Sequence, residues 1–514
     1  MSVDLAQYLT KWYVIIAGLV AVWGITKYIH VQSFIKKHGC KPAPKLEGGF
    51  LCIPILREVL KSKERGELLD FVYAIFSKMA AKTRQLRLFG VLIVITDEPE
   101  NMKAMLATQF NDYDLGFRHA MLSPLLGDGI FTLDGEGWKH SRAMLRPQFA
   151  REQIGHVQAL EPHLQWFAQH VRAKKGNTFD IQELFFRFTL DTATEFLFGE
   201  SVHSMHTAEI GLPVSKIEGV AQFGESFNRS QHYLGDRTFY QVLYFLINNK
   251  EFRQCNANVH KVAKYFVNRA LNFTPQELEE KSKSGYIFLY ELVKQTRNPK
   301  VLQDQLLNIL VAGRDTTAGT LSFTFYELAR NPDVFEKLKT EIYEKFGSGD
   351  NVDLKEITFE ALKQCEYLKF VLNEVLRLYP AVAMNFRVSN KETTLPVGGG
   401  PDGQSPVYIP KGTTVAYSPY FTHRDKDYYG EDAEVFRPER WADQKKLGWA
   451  YLPFNGGPRI CLGQQFALTE ASYVIVRLIQ MFPTLVSKDD RPYPPKKAFN
   501  LTTCHHDGVF IQLQ

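Results

Sequence analysis

The chain has 514 residues, of which 45% are hydrophobic and 23% charged, a composition typical of a globular protein and not of a disordered one. The net charge of +5 is small for this length and argues against nucleic acid as the main partner. The six cysteines contain no CxxC pair, so they fit neither a disulfide framework nor a zinc site and favour a reducing compartment.

The N-terminus carries an apolar segment, with a membrane-crossing stretch at about residues 12–29. Lysines are concentrated after it, which by the positive-inside rule predicts an uncleaved single-pass anchor with the rest of the chain in the cytosol. A cleaved signal peptide is the alternative, but the lysine excess lies on the wrong side for one. We therefore expect an anchor and proline-containing hinge over residues 1–45, followed by one catalytic domain over 46–514, since no linker interrupts it.

Hydrophobic periodicity predicts a mainly α fold with minor β structure. Two strands, Gln85–Phe89 and Val91–Thr96, precede a helix over Glu98–Thr108, and the glycine- and proline-containing stretch Arg118–Gly137 is expected to be a loop. Short strands and turns follow residue 385 or so. The remaining predicted helices are Trp138–Phe149, Arg151–Ala173, Ile181–Phe198, Phe239–Asn272, Gln303–Arg330, Val334–Phe346, Phe359–Leu378 and Gln464–Phe482.

The helix predicted to end at Arg330 is apolar on most faces, which indicates a buried central helix. It contains the sequence AGRDTT, in which Thr316 can bond back to the carbonyl of Ala312 and open the helix. The neighbouring Asp315 would be a buried proton source. The alternative is a solvated polar patch on an amphipathic helix, which is common for a bare Asp-Thr-Thr sequence.

Several arginines stand in patterns that are weak when taken singly. Glu374 and Arg377 are one helical turn apart, a spacing that usually indicates a surface ion pair. Trp138 and Arg142 form the pattern W-x-x-x-R. The guanidinium group of such an arginine can pair with a carboxylate through two parallel hydrogen bonds. Arg387 lies ten residues after Arg377. Each of these arginines alone is equally consistent with an exposed surface position.

The most specific motif is FNGGPRICLG, which runs from Phe454 to Gly463 and places Cys461 on a glycine-rich turn before a helical pattern. Free N–H groups and the positive end of the helix dipole favour a thiolate there, and glycines let backbone amides approach the sulfur. Arg459 is placed to meet an acidic group of the same ligand. A buried structural cysteine is the alternative, but five fixed residue types in ten positions argue against it.

With every position of F-x-x-G-x-R-x-C-x-G filled, this stretch resembles the heme-thiolate loop of the cytochrome P-450 family, and the other motifs follow in the family's order. The resemblance implies the P-450 fold and heme b, with Cys461 as the axial iron ligand. Asp315 and Thr316 would steer protons during oxygen activation. Ala312 stands where a related animal group esterifies a glutamate to heme, so covalent attachment is not expected.

The resemblance also assigns the remaining motif residues. The cofactor-binding set would be Phe454, Arg459, Trp138, Arg142 and Arg387, of which the tryptophan and the last two arginines are associated with the propionates. The structural set would be Glu374 and Arg377 completed by Arg440, which comes from the segment FRPERW over 436–441. In the family these three are buried together and help to hold the cysteine loop.

Finer features are similar to the yeast branch that hydroxylates alkanes and fatty acids: Leu125–Gly135, Gly137–Arg142, Asn385–Arg387 and Thr394–Gly400. This implies a monooxygenase of the endoplasmic reticulum membrane that uses O2 and attacks the terminal (ω) or next-to-terminal carbon. Nothing resembles a flavin or nicotinamide site, because the GxGxxG at Gly398–Gly403 is expected to be a β-turn. Electrons from NADPH would therefore arrive through a separate cytochrome P-450 reductase, with cytochrome b5 as a candidate second partner.

Two alternatives remain open at this point. One is a monooxygenase of another lipophile, such as a sterol or an aromatic compound. The other is a heme- or lipid-binding sensor without turnover, against which the presence of both Thr316 and Asp315 argues. The segment Ala381–Met384 departs from the yeast pattern and leaves the chain-length and positional preference undetermined.

Overall fold

Helices make up most of the chain in the computed structural model, which describes residues 5–46, 53–79, 81–88, 90–149, 157–207, 210–212, 219–283, 286–443 and 446–514. The α-helices are α1 (Leu5–His38), α2 (Ile53–Glu64), α3 (Leu68–Phe76), α4 (Pro99–Lys103), α5 (Arg118–Leu126), α6 (Gly135–Leu145), α7 (Glu161–Ala173), α8 (Ile181–Phe198), α9 (Val220–Phe239), α10 (Lys250–Leu271), α11 (Pro275–Lys283), α12 (Phe288–Gln295), α13 (Pro299–Arg330), α14 (Pro332–Phe346), α15 (Phe359–Lys363), α16 (Glu366–Leu378), α17 (Pro419–Thr422), α18 (Lys426–Tyr429) and α19 (Gln464–Met481).

The strands are short and form four small sheets. They are β1 (Thr83–Leu88), β2 (Val91–Thr96), β3 (Tyr113–Asp114), β4 (Phe179–Asp180), β5 (Asn385–Ser389), β6 (Thr393–Gly399), β7 (Ser405–Ile409), β8 (Thr414–Tyr417), β9 (Leu485–Ser487), β10 (Lys497–Phe499), β11 (Thr503–His505) and β12 (Phe510–Leu513). The largest sheet has the order β1-β2-β8-β5-β3, with β2 parallel to β8 and the other pairs antiparallel. The mainly α prediction with minor β is confirmed.

The central helix α13 is buried on almost every face and passes through both large hydrophobic clusters. One cluster packs α13 against α7, α8, α16 and α19, and the other packs it against α9 and α10. The helix begins where the Asn298 side chain accepts the N–H groups of Lys300 and Val301, with Pro299 in the first turn. The helix α13 is therefore a buried central helix, as its apolar sequence predicts.

The N-terminal helix is longer than the predicted membrane-crossing stretch. Its segment Lys11–His38 has no buried residue in its most apolar window and a mean hydropathy of 1.7, and it is long and apolar enough to cross a membrane, as an anchor requires. After α1, the chain pairs with the β6–β7 hairpin: Lys41 donates to the Pro406 carbonyl at 2.8 Å, and Gly400 donates to the Pro42 carbonyl at 3.1 Å. The glycine-rich GxGxxG sequence thus lies in a hairpin, as expected.

Several sequence predictions of secondary structure are wrong in detail, among them the single helix over Phe359–Leu378, which the structure divides into α15 and α16. Arg118–Leu126 is the helix α5, not a loop, because packing of four buried apolar side chains outweighs Pro124 inside it. The helix α9 was not predicted, and the helix predicted over Phe239–Asn272 is interrupted at Gln241–Leu246 by a 3-10 segment. The predicted strand end at residue 89 and the predicted helix start at 151–156 lie outside the described residues.

Candidate active site

A cavity of about 800 Å³ separates α13 from the loop that carries the FNGGPRICLG motif. Ala312 and Thr316 of α13 line this cavity, and so does Cys461 of the loop. A cavity of this size can enclose a cofactor together with part of a lipophilic substrate. The arrangement brings the central-helix motif and the cysteine loop to the same space.

The cysteine loop is shaped by one glycine that no other residue could replace. Gly457 has a φ of +69°, and a Cβ added to it would lie 1.9 Å from the Leu106 carbonyl oxygen. The loop then returns so that the Cys461 N–H donates to the Phe454 carbonyl at 3.0 Å. Both Phe454 and Cys461 line the cavity as a result.

Cys461 is surrounded by protein except where it faces the cavity, from which its surface is accessible. Burial raises the pKa of the Cys461 thiol, while the Gly463 N–H and the charge of Arg142 lower it. The Gly463 amide is of the kind that the sequence predicts beside a thiolate, whereas Arg142, which the resemblance assigns to a propionate, was not expected to act on the sulfur. The sulfur therefore faces the cavity and is available to bind a metal ion.

Arg459, Arg142 and Trp138 lie together at the cavity wall. Arg459 forms an ion pair with Asp134 at 2.7 Å, and its guanidinium lies 4.4 Å from the centre of the Trp138 ring. Arg142 donates to the Ile460 carbonyl at 3.0 Å, directly before the cysteine. The structure thus places these three predicted residues in contact with one another or with the loop.

Two further arginines approach the same cavity from α5 and β5. Arg118 donates to the Asn385 side chain at 2.7 Å and to the Phe386 carbonyl at 3.1 Å. Arg387 is 3% exposed, and its buried Nε has no hydrogen-bond partner among the described residues. Arg118 was missed by the sequence reasoning, since a lone arginine in a stretch expected to be a loop gives no signal.

The cluster of arginines contains more cations than carboxylates, because Asp134 is the one carboxylate shown to pair with any of these arginines among the described residues. Burial, together with the neighbouring charge of Arg387, lowers the pKa of Arg118 to about 9. Burial lowers the pKa of Arg459 to about 10, although Asp134 opposes that shift. A ligand with two carboxylates would satisfy these cations, and heme carries two propionates. The residues present therefore fit heme: a cysteine facing the cavity, and guanidinium groups in need of carboxylates.

The side chains of Thr316 and Asp315 in the AGRDTT motif point in different directions. The Thr316 hydroxyl donates to the Ala312 carbonyl at 2.7 Å and lines the cavity, in the geometry expected from the sequence. Asp315 does not line the cavity and instead pairs with Arg314 at 2.9 Å. Burial raises the pKa of Asp315, and Arg314 acts against that rise.

Glu374 is the centre of a completely buried ion cluster. Arg377 donates to both of its oxygens at 2.9 and 2.8 Å, and Arg440 donates to it at 2.8 Å. The Trp441 indole and the Arg437 backbone N–H complete the set at 3.0 and 2.9 Å. A buried carboxylate with this many donors is fully satisfied, which is what makes its burial tolerable.

His423 connects this ion cluster with the start of the cysteine loop. Arg377 donates to the His423 carbonyl at 2.9 Å, and the Leu452 N–H donates to His423 Nε2 at 2.8 Å. Burial keeps the pKa of His423 at about 3, so the ring is neutral and its Nε2 can accept. No motif in the sequence indicated His423.

Comparisons with known proteins agree with this geometry. The family model described as Cytochrome P450 matches residues 48–508. Cytochrome P450 52A13 of Debaryomyces hansenii is 60% identical over 512 residues, covering 99% of this chain and 99% of that protein. Cytochrome P450 52A6 of Candida tropicalis is 61% identical over 512 residues, covering 98% of each chain. Cytochrome P450 52A3-A of Candida maltosa is 60% identical over 513 residues, covering 99% of this chain and 98% of that protein.

Agreement over the whole length excludes a chance match of one motif. A protein of this family holds heme iron through a cysteine ligand, takes O2 as co-substrate and receives electrons from a partner reductase. A cavity next to both the cysteine and the central helix is consistent with a lipophilic substrate. The chain belongs to the cytochrome P450 family, and it is a heme-thiolate monooxygenase of alkanes or fatty acids.

Proposed function

We propose that the protein hydroxylates long-chain alkanes or fatty acids at the terminal or next-to-terminal carbon. The observation that carries the proposal is the apolar wall beside Thr316, where Ile309, Ala312 and Val382 line the cavity. A hydrocarbon chain end has no polar group to be recognised, so apolar contact and the shape of the cavity position it. The cavity's arginines point to carboxylates of the cofactor and leave this apolar part for the substrate.

We assign the cofactor contacts to named residues on the same basis. Cys461 would hold the heme iron through its thiolate and Phe454 would support that loop. The propionate side would be held by Arg459, Arg142, Trp138, Arg387 and Arg118. The cofactor supplies the reductive activation of O2 and the transfer of one oxygen atom into a C–H bond. The protein holds the cofactor, excludes water from the apolar wall and fixes the substrate.

Thr316 and Asp315 have the proton-handling roles in this proposal. The Thr316 hydroxyl is held by the Ala312 carbonyl at the cavity wall, where it can accept and pass a proton. Asp315 lies behind that wall, so its proton reaches the cavity only through a change of side-chain position or a bridging water. Glu374, Arg377 and Arg440 act structurally, by holding the segment that leads into the cysteine loop.

The proposal includes the cellular arrangement. Residues 1–45 anchor and orient the protein in the endoplasmic reticulum membrane, and residues 46–514 form the catalytic domain on the cytosolic side. NADPH–cytochrome P450 reductase delivers the electrons, with cytochrome b5 as a second donor. The lysine excess that follows the anchor supports this orientation.

A reconstituted turnover assay tests the substrate and its position. Microsomes that contain the protein, a reductase and NADPH receive hexadecane, palmitic acid or oleic acid, and the hydroxylated carbon is mapped. We expect product at the last or next-to-last carbon of at least one substrate. Cys461→Ala should abolish the thiolate–CO absorption and the product, whereas Cys365→Ala, at a buried cysteine outside the cavity lining, should retain both. No hydroxylation of any of the three, despite a normal thiolate–CO spectrum, would refute the substrate class.

A further inference from the structure

The cavity wall continues past Cys461 along α19 and includes a polar part that the proposed chemistry does not use. Its polar side chains are His163 of α7, Thr192 and Glu195 of α8, Thr317 of α13 and Glu470 of α19. Polar groups on a buried wall cost free energy unless hydrogen bonds satisfy them. These polar side chains, which lie beside an apolar substrate cavity, are therefore expected to have a function of their own.

Glu470 is the centre of this polar wall and is 6% exposed. Its carboxylate accepts a hydrogen bond from the Thr192 hydroxyl at 3.0 Å. The Thr317 hydroxyl also lowers the pKa of Glu470, although its contact falls short of a full hydrogen bond. Burial acts more strongly and raises the pKa of Glu470 to about 7, so that both protonation states are populated near neutral pH.

His163 connects the polar wall with a carboxylate at the protein surface. It is 1% exposed, and its Nε2 lies 2.7 Å from Glu195, whose side chain is 49% exposed. His163 and Glu470 line the same cavity, and the charge of His163 lowers the pKa of Glu470. His163 Nδ1 is buried and has no hydrogen-bond partner among the described residues. A water molecule between Nδ1 and the cavity would satisfy it.

We propose that Glu195, His163, Glu470, Thr192 and Thr317 form a proton path from the surface to the threonines of α13, separate from Asp315. Thr317 ends the path and is adjacent in sequence to Thr316, which faces the substrate side. The titratable neighbour of Glu470 is His163 on α7, while α8 and α13 contribute hydroxyl groups. The path thus leads from solvent, through α7 and α8, to the central helix.

The proposed reaction consumes protons, and this path can supply them. Monooxygenation converts RH, O2, two electrons and two protons into ROH and water. In the path, the Glu470 O–H bond breaks and its proton passes to water or hydroxyl in the cavity. The carboxylate regains a proton through His163, which in turn takes one from solvent at Glu195. The path moves protons only, and the reductase supplies the electrons.

The test compares two nearly isosteric variants with a matched control in the full-length, heme-containing protein. Thr192→Val removes the hydroxyl that contacts Glu470, and Glu470→Gln removes the exchangeable carboxyl proton. Thr189→Val is the control, because Thr189 is buried one turn earlier on α8 and donates to the Phe185 carbonyl at 2.9 Å, outside the cavity lining. The readouts are infrared titration of carboxyl C=O absorption in the resting protein, product per NADPH, and the solvent deuterium isotope effect.

We expect a protonated-carboxyl band that titrates near neutral pH, is lost in Glu470→Gln and shifts to higher pH in Thr192→Val. Product per NADPH should fall in both variants by about tenfold, less than the roughly 10²-fold of an essential proton donor because the route through Asp315 remains. Their solvent isotope effects should rise, and Thr189→Val should match the parent protein. If Glu470→Gln does not retain heme, Thr192→Val carries the test alone.

Two results would overturn the path: no carboxyl band near neutral pH that Glu470→Gln removes, or parental coupling and isotope effects in Thr192→Val. A band that remains in Glu470→Gln belongs to another carboxyl, such as Glu327, whose pKa burial also raises to about 7. The inference rests on the proposed function at Thr316, so Thr316→Ala is measured in parallel. If Thr316→Ala loses coupling and Thr192→Val does not, the path is wrong and the proposed function stands. If Thr316→Ala stays coupled, the proposed role of Thr316 is wrong.

Discussion

His423 Nε2 accepts the backbone N–H of Leu452 at 2.8 Å, while the His423 carbonyl accepts Arg377 at 2.9 Å. One buried side chain thus connects the Glu374 ion cluster with the residues that enter the cysteine loop. Its ring nitrogen Nδ1 lies 3.2 Å from the Arg377 carbonyl, which fixes Nδ1 as the donor and Nε2 as the acceptor. The position of the cysteine loop therefore depends on a neutral histidine.

Replacing His423 by Leu should destabilise the fold by about 1–3 kcal/mol, since the Leu452 N–H loses its buried acceptor. The effect should depend on pH. The folded-state pKa of about 3 lies below the unfolded value, so the neutral ring contributes stability above about pH 6.5, and this contribution is lost as the pH falls toward 3. Denaturant unfolding at pH 7.5 and pH 5 should show a smaller difference between His423→Leu and the parent at the lower pH. An unchanged difference would contradict the role of a neutral ring.

Removing one member of the Glu374 cluster should have a larger effect. In Glu374→Gln, the buried Arg377 loses its carboxylate partner and Arg440 keeps only Asp432, which together should cost about 3–5 kcal/mol. We expect heme incorporation to fall sharply, as measured by the heme-to-protein ratio after purification. Glu336→Gln is the matched control, because its pair with Lys339 has the same spacing at the surface and should contribute less than about 1 kcal/mol. Similar losses in both variants would argue against the buried cluster.

The sequence predicts structure well where local signals agree with packing. The bounds of α8 were predicted to the residue, because Asp180 caps its start and Gly199 ends it in the left-handed conformation. The helix α5 was not predicted, because Pro124 and the following glycines read as a loop while its buried contacts come from distant helices. Local propensity cannot report contacts of that kind.

In the active site, too, some contacts are predicted by a local motif, and others join residues that are distant in the sequence. Cys461, Phe454 and Arg459 are consecutive parts of one loop, so a single motif is enough to bring them together. Arg118 reaches Asn385 across 267 residues of sequence, and no local pattern connects the two. Asp315 is a different case. Its motif places it next to Thr316 on the central helix, but only the structure reveals that its side chain pairs with Arg314.

Arg118 offers a test of the charge argument for the cofactor. In Arg118→Met the cluster loses one buried cation that a propionate would pair with, and heme should dissociate at least about tenfold faster, since charge-assisted hydrogen bonds contribute about 1.5–3 kcal/mol. Transfer of heme to excess apomyoglobin measures the rate. Arg229→Met, at an arginine whose side chain is 52% exposed, should leave the rate unchanged. Equal rates in the parent and Arg118→Met would exclude a propionate contact.

Thr316→Ala tests the proton-handling role on the central helix. The change removes the hydroxyl at the cavity wall, so NADPH should still be consumed while hydroxylated product falls by about tenfold or more. The excess reducing equivalents should appear as hydrogen peroxide or water. Ser322→Ala is the control, because Ser322 makes the same back-bond to the carbonyl four residues earlier, at 2.7 Å, outside the cavity lining. Equal product per NADPH in the two variants would remove Thr316 from the mechanism.

The junction between the anchor and the catalytic domain depends on a close backbone contact. Gly399 packs against the segment after α1, and a Cβ at this position would lie 2.4 Å from the Lys41 carbonyl oxygen. Gly399→Val should therefore push that segment off the hairpin and make the bond between Lys45 and Leu46 accessible to trypsin. Limited proteolysis in membranes measures this, with Pro401→Ala at the exposed hairpin tip as the control. Equal cleavage of Gly399→Val and the parent protein would mean that the hairpin does not hold the anchor, and that the anchor moves independently of the catalytic domain.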